Sequence, residues 1–371
     1  MLVSLILITL GWIFNYAHRM AVSPLLPMIK AEFHLSNAQA GLLMTALLLP
    51  YALIQVPAGY LGDRFGRKRL LALSIFGYSI SSAMLFFASQ YWEVLAFRAL
   101  YGFFSGLYYA PATALIAETY GARKGSALGV FMLGPPVGSG IVPLLVVPVA
   151  LNLGWRYAFP ILAVMSSVVG VLLVVSLRTL KEKKSKARLS IEVGSVNLAV
   201  ANFLALMAFF GVLTFLVAFL TSTGMGVERA SYLFSLLSLV GIAGSLAGGV
   251  LYDRLGRKAL ELAFLSNALL IVLLVVKPGF FSALALGLTF YSVGPMVTAF
   301  TAETAGKDNL GPVMGFVNMV GFFGATVGPY FTGWLIDRLG YREAFFAIAV
   351  LYALAWAVIK GTKGAEKVSR T

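Results

Sequence analysis

Four windows of this chain, 33–62, 125–155, 193–227 and 309–336, contain no Asp, Glu, Lys or Arg at all. A helix that crosses the hydrocarbon core of a bilayer needs about 20 apolar residues. Each window therefore holds room for a full crossing, and no water-soluble surface can be assembled around so many uncharged stretches. Only 11% of the 371 residues are charged and 60% are hydrophobic, whereas soluble domains carry roughly 25% charged residues. The same figures exclude a disordered chain. The absence of cysteine excludes disulfides, thiolate metal sites and cysteine nucleophiles. Two histidines, His18 and His34, leave little for zinc or Ser-His chemistry. No G-x-x-x-x-G-K-[ST] loop is present, which disfavours ATP-driven work. Neither a cofactor nor a metal is expected, and the chain reads as a non-enzyme.

Hydropathy places spans at 2–29, 38–61, 70–88, 92–117, 125–149, 157–178, 195–221, 230–252, 259–276, 279–303, 310–336 and 342–360. The expected fold is an all-α integral membrane protein with twelve transmembrane helices in two six-helix pseudo-symmetric parts around a central cavity. The first part covers 1–178 and the second 195–360. The polar stretch 179–194 links them, and 361–371 forms a tail. Lys and Arg are enriched in cytoplasmic loops. Twenty of the 28 fall on the side shared by both termini and the linker, six fall on the opposite side, and Arg19 and Arg98 fall inside spans. Both termini are therefore expected in the cytoplasm. The net charge of +14 is accounted for by topology, with the lipid bilayer and not nucleic acid as the partner surface.

The two parts repeat each other. Gly59-Tyr60-Leu61-Gly62-Asp63-Arg64-Phe65-Gly66-Arg67-Lys68 returns as Gly249-Val250-Leu251-Tyr252-Asp253-Arg254-Leu255-Gly256-Arg257-Lys258. Glu118 returns as Glu303, Gly129, Gly138 and Pro143 as Gly315, Gly324 and Pro329, and Gly154-Trp155-Arg156 as Gly340-Tyr341-Arg342. Internal repeats in a hydrophobic chain point to a transporter whose site lies between the repeats.

Over essentially its whole length the chain resembles the major facilitator superfamily. The doubled G-x-L-x-D-R-x-G-R-K loop carries the resemblance. Arg98-x-x-x-Gly102-x-x-x-Gly106 and Gly134-Pro135-x-x-Gly138 support it. The resemblance implies a rocker-type secondary transporter with one central site open alternately to each side. It also implies a gate at the basic end, in which Asp63, Arg64, Arg67 and Glu118 are expected to interact. Asp253, Arg254, Arg257 and Glu303 should form the matching set. An ordinary basic loop set by topology is the competing reading. The glycine runs Gly134, Gly138, Gly140 and Gly321, Gly324, Gly328 fit close helix approach, with or without a hinge.

An ionisable residue within a span is a functional candidate by default. Arg19 has Asn15 and Tyr16 on its own helix face, and Arg98 is followed by Tyr101, Ser105 and Tyr108 in one stripe. Two planar guanidinium forks suit a carboxylate or phosphate. The pair resembles the organic-anion and organophosphate branches of the superfamily. Arg19 can alternatively snorkel to a headgroup, and Arg98 can serve packing or coupling alone. Gln55 with Tyr51, Tyr291 with Thr298, and Asn318 are further candidates for the substrate site. His18 and Ser105 stand where proton-coupled relatives often hold a carboxylate, and no Asp or Glu lies deep in a span. A coupling ion therefore stays open, as do symport, antiport and uniport. Trp12, Trp92, Trp155, Trp334 and Trp356 include candidate interface anchors.

The expected function is secondary transport of a small organic anion by a monomer in the cytoplasmic membrane. Efflux of hydrophobic or drug-like compounds is the rival within transport, and a non-transporting sensor or scaffold is the rival outside it. The orientation can be tested by introducing single cysteines at Ser185 or Asn152 and labelling intact cells with a membrane-impermeant thiol reagent. The charge count predicts labelling at 152 and none at 185; the reverse pattern would overturn it.

Overall fold

The computed structural model describes residues 2–177, 196–304 and 306–361. The expected linker 179–194 and the tail after Gly361 lie outside them. Sixteen α-helices form among the described residues: α1 (Leu2–Met20), α2 (Val22–Glu32), α3 (Asn37–Phe65), α4 (Arg67–Ala83), α5 (Tyr91–Gly106), α6 (Tyr109–Tyr120), α7 (Lys124–Phe131), α8 (Gly134–Leu153), α9 (Ala158–Leu177), α10 (Val196–Ser222), α11 (Val227–Leu255), α12 (Arg257–Val276), α13 (Phe280–Phe290), α14 (Val293–Thr304), α15 (Gly306–Leu339) and α16 (Tyr341–Gly361). Eleven stretches among them are long and apolar enough to cross a membrane. The expected span 92–117 is not one of the eleven. It is split into α5 and α6 and carries Glu93 and Arg98.

Four expected spans are interrupted, and proline explains where. Proline lacks an N–H and crowds the carbonyl four residues earlier. Pro24 follows the α1/α2 break at Ala21, Pro111 the α5/α6 break at Leu107 and Tyr108, and Pro295 the α13/α14 break at Tyr291 and Ser292. Pro135 and Pro136 follow the α7/α8 break at Met132 and Leu133. Pro50, Pro57, Pro143 and Pro148 stay inside continuous helices. Proline thus permits a break without compelling one.

The perimeter is apolar. On α9, Ile161, Val164, Met165, Val168, Val171, Leu172 and Val175 are exposed, while Leu162, Ser166, Val169, Gly170 and Leu173 face inward. Both faces are hydrophobic because both are dry, one in lipid and one in protein.

Helices approach through glycine. A Cβ at Gly102 of α5 would stand 2.0 Å from the Leu47 carbonyl oxygen of α3. In the first expected run, Gly134 and Gly138 pack on Trp12 and Ile13 of α1, and Gly140 packs on Leu239 of α11. In the second, Gly321, Gly324 and Gly328 pack on α10 at Asn202, Phe203 and Met207. Helices α3 and α15 run against each other from the end that begins α3. Gly41 meets the Pro329 carbonyl, Thr45 Oγ1 donates to the Thr326 carbonyl at 2.6 Å, and Tyr51 meets Phe322 at 5.2 Å between ring centres.

Candidate functional site

Pro24 has no N–H to offer the carbonyl four residues earlier, so the α1/α2 junction creates a demand for other donors in a dry interior. Arg98 of α5 meets it. Its Nη1 donates to the His18 carbonyl at 3.3 Å, its Nη2 to the Arg19 carbonyl at 3.1 Å, and its Nε to the Leu43 carbonyl of α3 at 3.1 Å. Arg98 is 1% exposed. All three of its nitrogens serve backbone, so the structure ties α5 to α1 and α3 through it and does not place it in an open fork with Arg19.

Arg19, one turn before the break, is 0% exposed. It does not snorkel. Its guanidinium carbon lies 4.3 Å from the centre of the Tyr16 ring and 4.0 Å from that of Tyr51. Nη2 donates to Asn15 Oδ1 at 3.3 Å and reaches Ser105 Oγ at 3.5 Å. The Tyr51 hydroxyl also comes near the guanidinium, yet Nε and Nη1 have no hydrogen-bond partner. Among the described residues none of the four ion pairs includes Arg19 or Arg98. Asn15 is held from both sides. Ser105 Oγ donates to its Oδ1 at 2.9 Å, and Tyr101 donates its hydroxyl to the Asn15 carbonyl. Asn15 and Tyr101 thus fix the helix that presents Arg19.

His18 points away from this group. Its Nδ1 lies 2.7 Å from Ser82 Oγ and its Nε2 3.0 Å from Ser166 Oγ, both buried between α1, α4 and α9. Trp12, a candidate interface anchor, is 2% exposed, stacks on Tyr108 and Phe131, and leaves its Nε1 unpartnered.

Tyr291 sits at the α13/α14 break and crosses α11 at Gly241, where a Cβ would lie 2.1 Å from its ring. The hydroxyls of Ser139 and Ser238 flank its own, and none of the three makes a well-formed hydrogen bond. The sequence reading missed both serines, because nothing in their spacing separates them from ordinary helical serines. Gln55 and Asn318 are half-buried on α3 and α15. Thr298 is exposed and turns back to the Gly294 carbonyl.

At the basic end, Gly66 alone joins α3 to α4 with φ +95°, a left-handed conformation that favours glycine. This sharp joint brings Arg67 back over α3. It bonds Asp63 at 2.7 Å and forms an ion pair with Glu118 of α6. Arg64 instead reaches the Tyr60 hydroxyl at 3.5 Å. The matching set after the linker is built differently. Glu303 accepts the Tyr252 hydroxyl at 2.6 Å, and Arg257 bonds Glu261 at 2.9 Å and the Ile359 and Lys360 carbonyls. Asp253 and Arg254 are exposed. The cause is one residue. Arg67 lies across Gly62, whose Cβ would be 3.4 Å from its Cγ. Tyr252 occupies the equivalent place and takes the glutamate itself.

A carboxylate at the opposite end escaped the sequence reading. Asp337 of α15 accepts the Asn37 N–H and Nδ2 and the Ala38 N–H, each at 2.8 Å. Asn37 Oδ1 accepts Lys30 Nζ at 2.6 Å and the Tyr341 hydroxyl at 3.0 Å. The first N–H groups of a helix lack helical partners, and its dipole favours an anion there. Asp337 therefore clasps the start of α3 from across the repeat. The signal was present: Gly333-Trp334-Leu335-Ile336-Asp337-Arg338-Leu339-Gly340 has the pattern of Gly59 to Gly66. Beside the clasp, a surface groove of about 400 Å³ is lined in part by Lys30, His34, Thr221 and Tyr341.

The family model described as Major Facilitator Superfamily matches residues 8–329, with a second match over 198–369. Among curated proteins, the hexuronate transporter of Bacillus subtilis is 25% identical over 378 residues, covering 92% of this chain and 89% of that protein. The gentisate transporter of Corynebacterium glutamicum is 28% identical over 362 residues, covering 88% of this chain and 80% of that one. A solved structure of a bacterial homolog to the human lysosomal transporter Spinster, inward-facing and occupied, superposes with a TM-score of 0.85 at 18% identity, covering 96% of each chain.

The two buried arginines should behave oppositely when shortened. Arg98→Met orphans buried carbonyls, at about 1–3 kcal/mol for an unsatisfied group. Arg19→Met removes a charge that no ion pair among the described residues neutralises, and replacing such buried charge by apolar bulk is often neutral or stabilising. Thermal unfolding of the purified protein should show a lowered midpoint for Arg98→Met and an unchanged or raised one for Arg19→Met. Equal losses would contradict the division of roles.

Proposed function

Since the chain belongs to the Major Facilitator Superfamily, we propose that it is a secondary transporter of a small organic anion, with Arg19 as the charge that receives the anion. One observation carries this reading. Arg19 is buried, two of its nitrogens are unpartnered, and none of the ion pairs among the described residues includes it. A buried guanidinium without a counter-charge is unfavourable, and a carboxylate offers the two acceptors that the free Nε and Nη1 require. The relatives named above carry a hexuronate and gentisate, both carboxylates, which supports the class.

In this reading the chain forms twelve spans, with Tyr91–Tyr120 as the fourth, in two six-helix parts at 1–178 and 195–360. The linker and both termini lie in the cytoplasm, and the bilayer is the cytoplasmic membrane. Tyr16 walls the anion and Asn15 orients Arg19. Tyr101 and Arg98 position the broken helix. Gln55, Tyr291 and Asn318 line the remainder. Alternating access then needs one closure at each end. Asp337 clasps α3 at the outer end, and the Asp63, Arg64, Arg67 and Glu118 cluster prepares the closure at the cytoplasmic end. Asp253, Arg254, Arg257 and Glu303 support the second cytoplasmic joint. Efflux of cationic compounds is not favoured, because no acid lies deep in a span to attract them.

Counterflow of radiolabelled glucuronate and gentisate into proteoliposomes tests the proposal. Wild type should exchange at least one of the two. Arg19→Lys keeps the charge and loses the fork, and should weaken uptake about 10- to 100-fold. Arg19→Gln should abolish it. Wild-type exchange by a well-folded Arg19→Gln protein would refute the anion site.

A further inference from the structure

Ser139 stands where three helices meet. Its neighbour Gly138 packs on the Ile13 carbonyl and Tyr16 Cβ of α1, and its other neighbour Gly140 packs on Leu239 of α11. Ser238 precedes Leu239 on α11. The Tyr291 ring crosses Gly241, and its hydroxyl neighbours those of both serines. The three hydroxyls come from both sides of the linker. Tyr16 holds Arg19 with its ring and lies against Gly138 with its Cβ, so the hydroxyl group and Arg19 share one wall.

Buried hydroxyls in helices normally turn back to the carbonyl four residues earlier. Ser79, Thr214, Thr301 and Thr332 do so here, at 2.6–2.7 Å. Ser139 and Ser238, 1% and 0% exposed, do not; their hydroxyls and that of Tyr291 neighbour one another and make no well-formed hydrogen bond to the rest of the protein. Ser235 and Ser231 continue the same unpartnered face along α11. A hydroxyl both donates and accepts. Three of them match groups that do the same. A second anionic group would call for donors alone, and an ammonium for acceptors alone.

We propose that Ser139, Ser238 and Tyr291 form a hydroxyl-reading subsite joined to Arg19 through Tyr16, so that the ligand is a hydroxylated carboxylate with its charge on Arg19 and its hydroxyls on these three side chains. This rests on the anion reading of Arg19 and adds what the remainder of the anion must carry. Binding across the linker also gives the ligand a hold on both repeats at once.

The test uses pairs of anions of equal charge and similar ring size that differ in hydroxyls: glucuronate against cyclohexanecarboxylate, and gentisate against benzoate. Each is titrated calorimetrically into the purified full-length protein. In at least one pair, wild type should bind the hydroxylated member at least about tenfold more tightly, because a site built for hydroxyls is left unpaired by the analogue lacking them. Tyr291→Phe and Ser238→Ala should each shrink that ratio by about three- to tenfold through the hydroxylated member alone. Arg19→Lys should weaken both members and leave the ratio intact. Ser139→Ala provides a further variant should one of the others fold poorly. Equal wild-type affinity within both pairs would mean that the hydroxyls hold only water, and would overturn the subsite while leaving the anion site standing. Variants that weaken both members equally would overturn it too. No binding of any member up to about 10 mM, or binding unaffected by Arg19→Lys, would count against the anion site and the subsite together.

Discussion

The guanidinium of Arg98 on the carbonyls of His18 and Arg19 is the contact on which the site depends. The first span is interrupted just before Pro24, and a missing backbone donor in a dry interior is tolerable only if other donors serve the carbonyls there. An arginine does so at the cost of burying a charge. Once it is spent on backbone dipoles, it has no donor nitrogen left over. The neighbouring Arg19 is in the reverse condition. Its ring neighbours Tyr16 and Tyr51 shield it, Asn15 occupies one nitrogen, and the other two remain free. Two buried arginines that look alike in the sequence thus divide into one that holds the helix and one that is available.

Helix α3 links this site to both ends of the molecule. Its middle presents Tyr51 to Arg19 on one side and Phe322 on the other. One end carries the Asp63–Arg67 pair and the sharp joint at Gly66, and the other starts under the Asp337 carboxylate. Arg19, Tyr51 and Phe322 thus form one packed row across α1, α3 and α15. The Asp-Arg-x-Gly joint occurs at residues 63–66, 253–256 and 337–340. In each copy the glycine has positive φ and a new helix begins at the following residue. Among the described residues, the third copy is the one that uses its aspartate across the repeat.

All but the fourth of the expected spans, and the burial of the two arginines, were legible because lipid imposes a length and disfavours charge. The places where helices break were less so, since Pro24, Pro111, Pro135 and Pro295 end helices while Pro50, Pro57, Pro143 and Pro148 do not. Which face of α9 meets protein was unreadable for a simple reason: both faces are apolar. The different wiring after the linker hinges on Tyr252 standing in for Gly62, a single change inside a ten-residue match. Asp337 was overlooked although its motif stood in plain view, because it faces the end with few positive charges. The division of labour between Arg19 and Arg98 lies in carbonyl positions, which no side-chain pattern encodes.

The most direct measurement is the location of a heavy-atom-labelled anion in the protein. Crystals grown with 4-bromobenzoate and measured at the bromine edge would show one anomalous peak per bound molecule, with density for its carboxylate. The account predicts the carboxylate within hydrogen-bond distance of Arg19 Nε and Nη1, beside Tyr16 and Tyr51. A carboxylate on Arg98, or one bound only in the surface groove at Lys30 and His34, would contradict it.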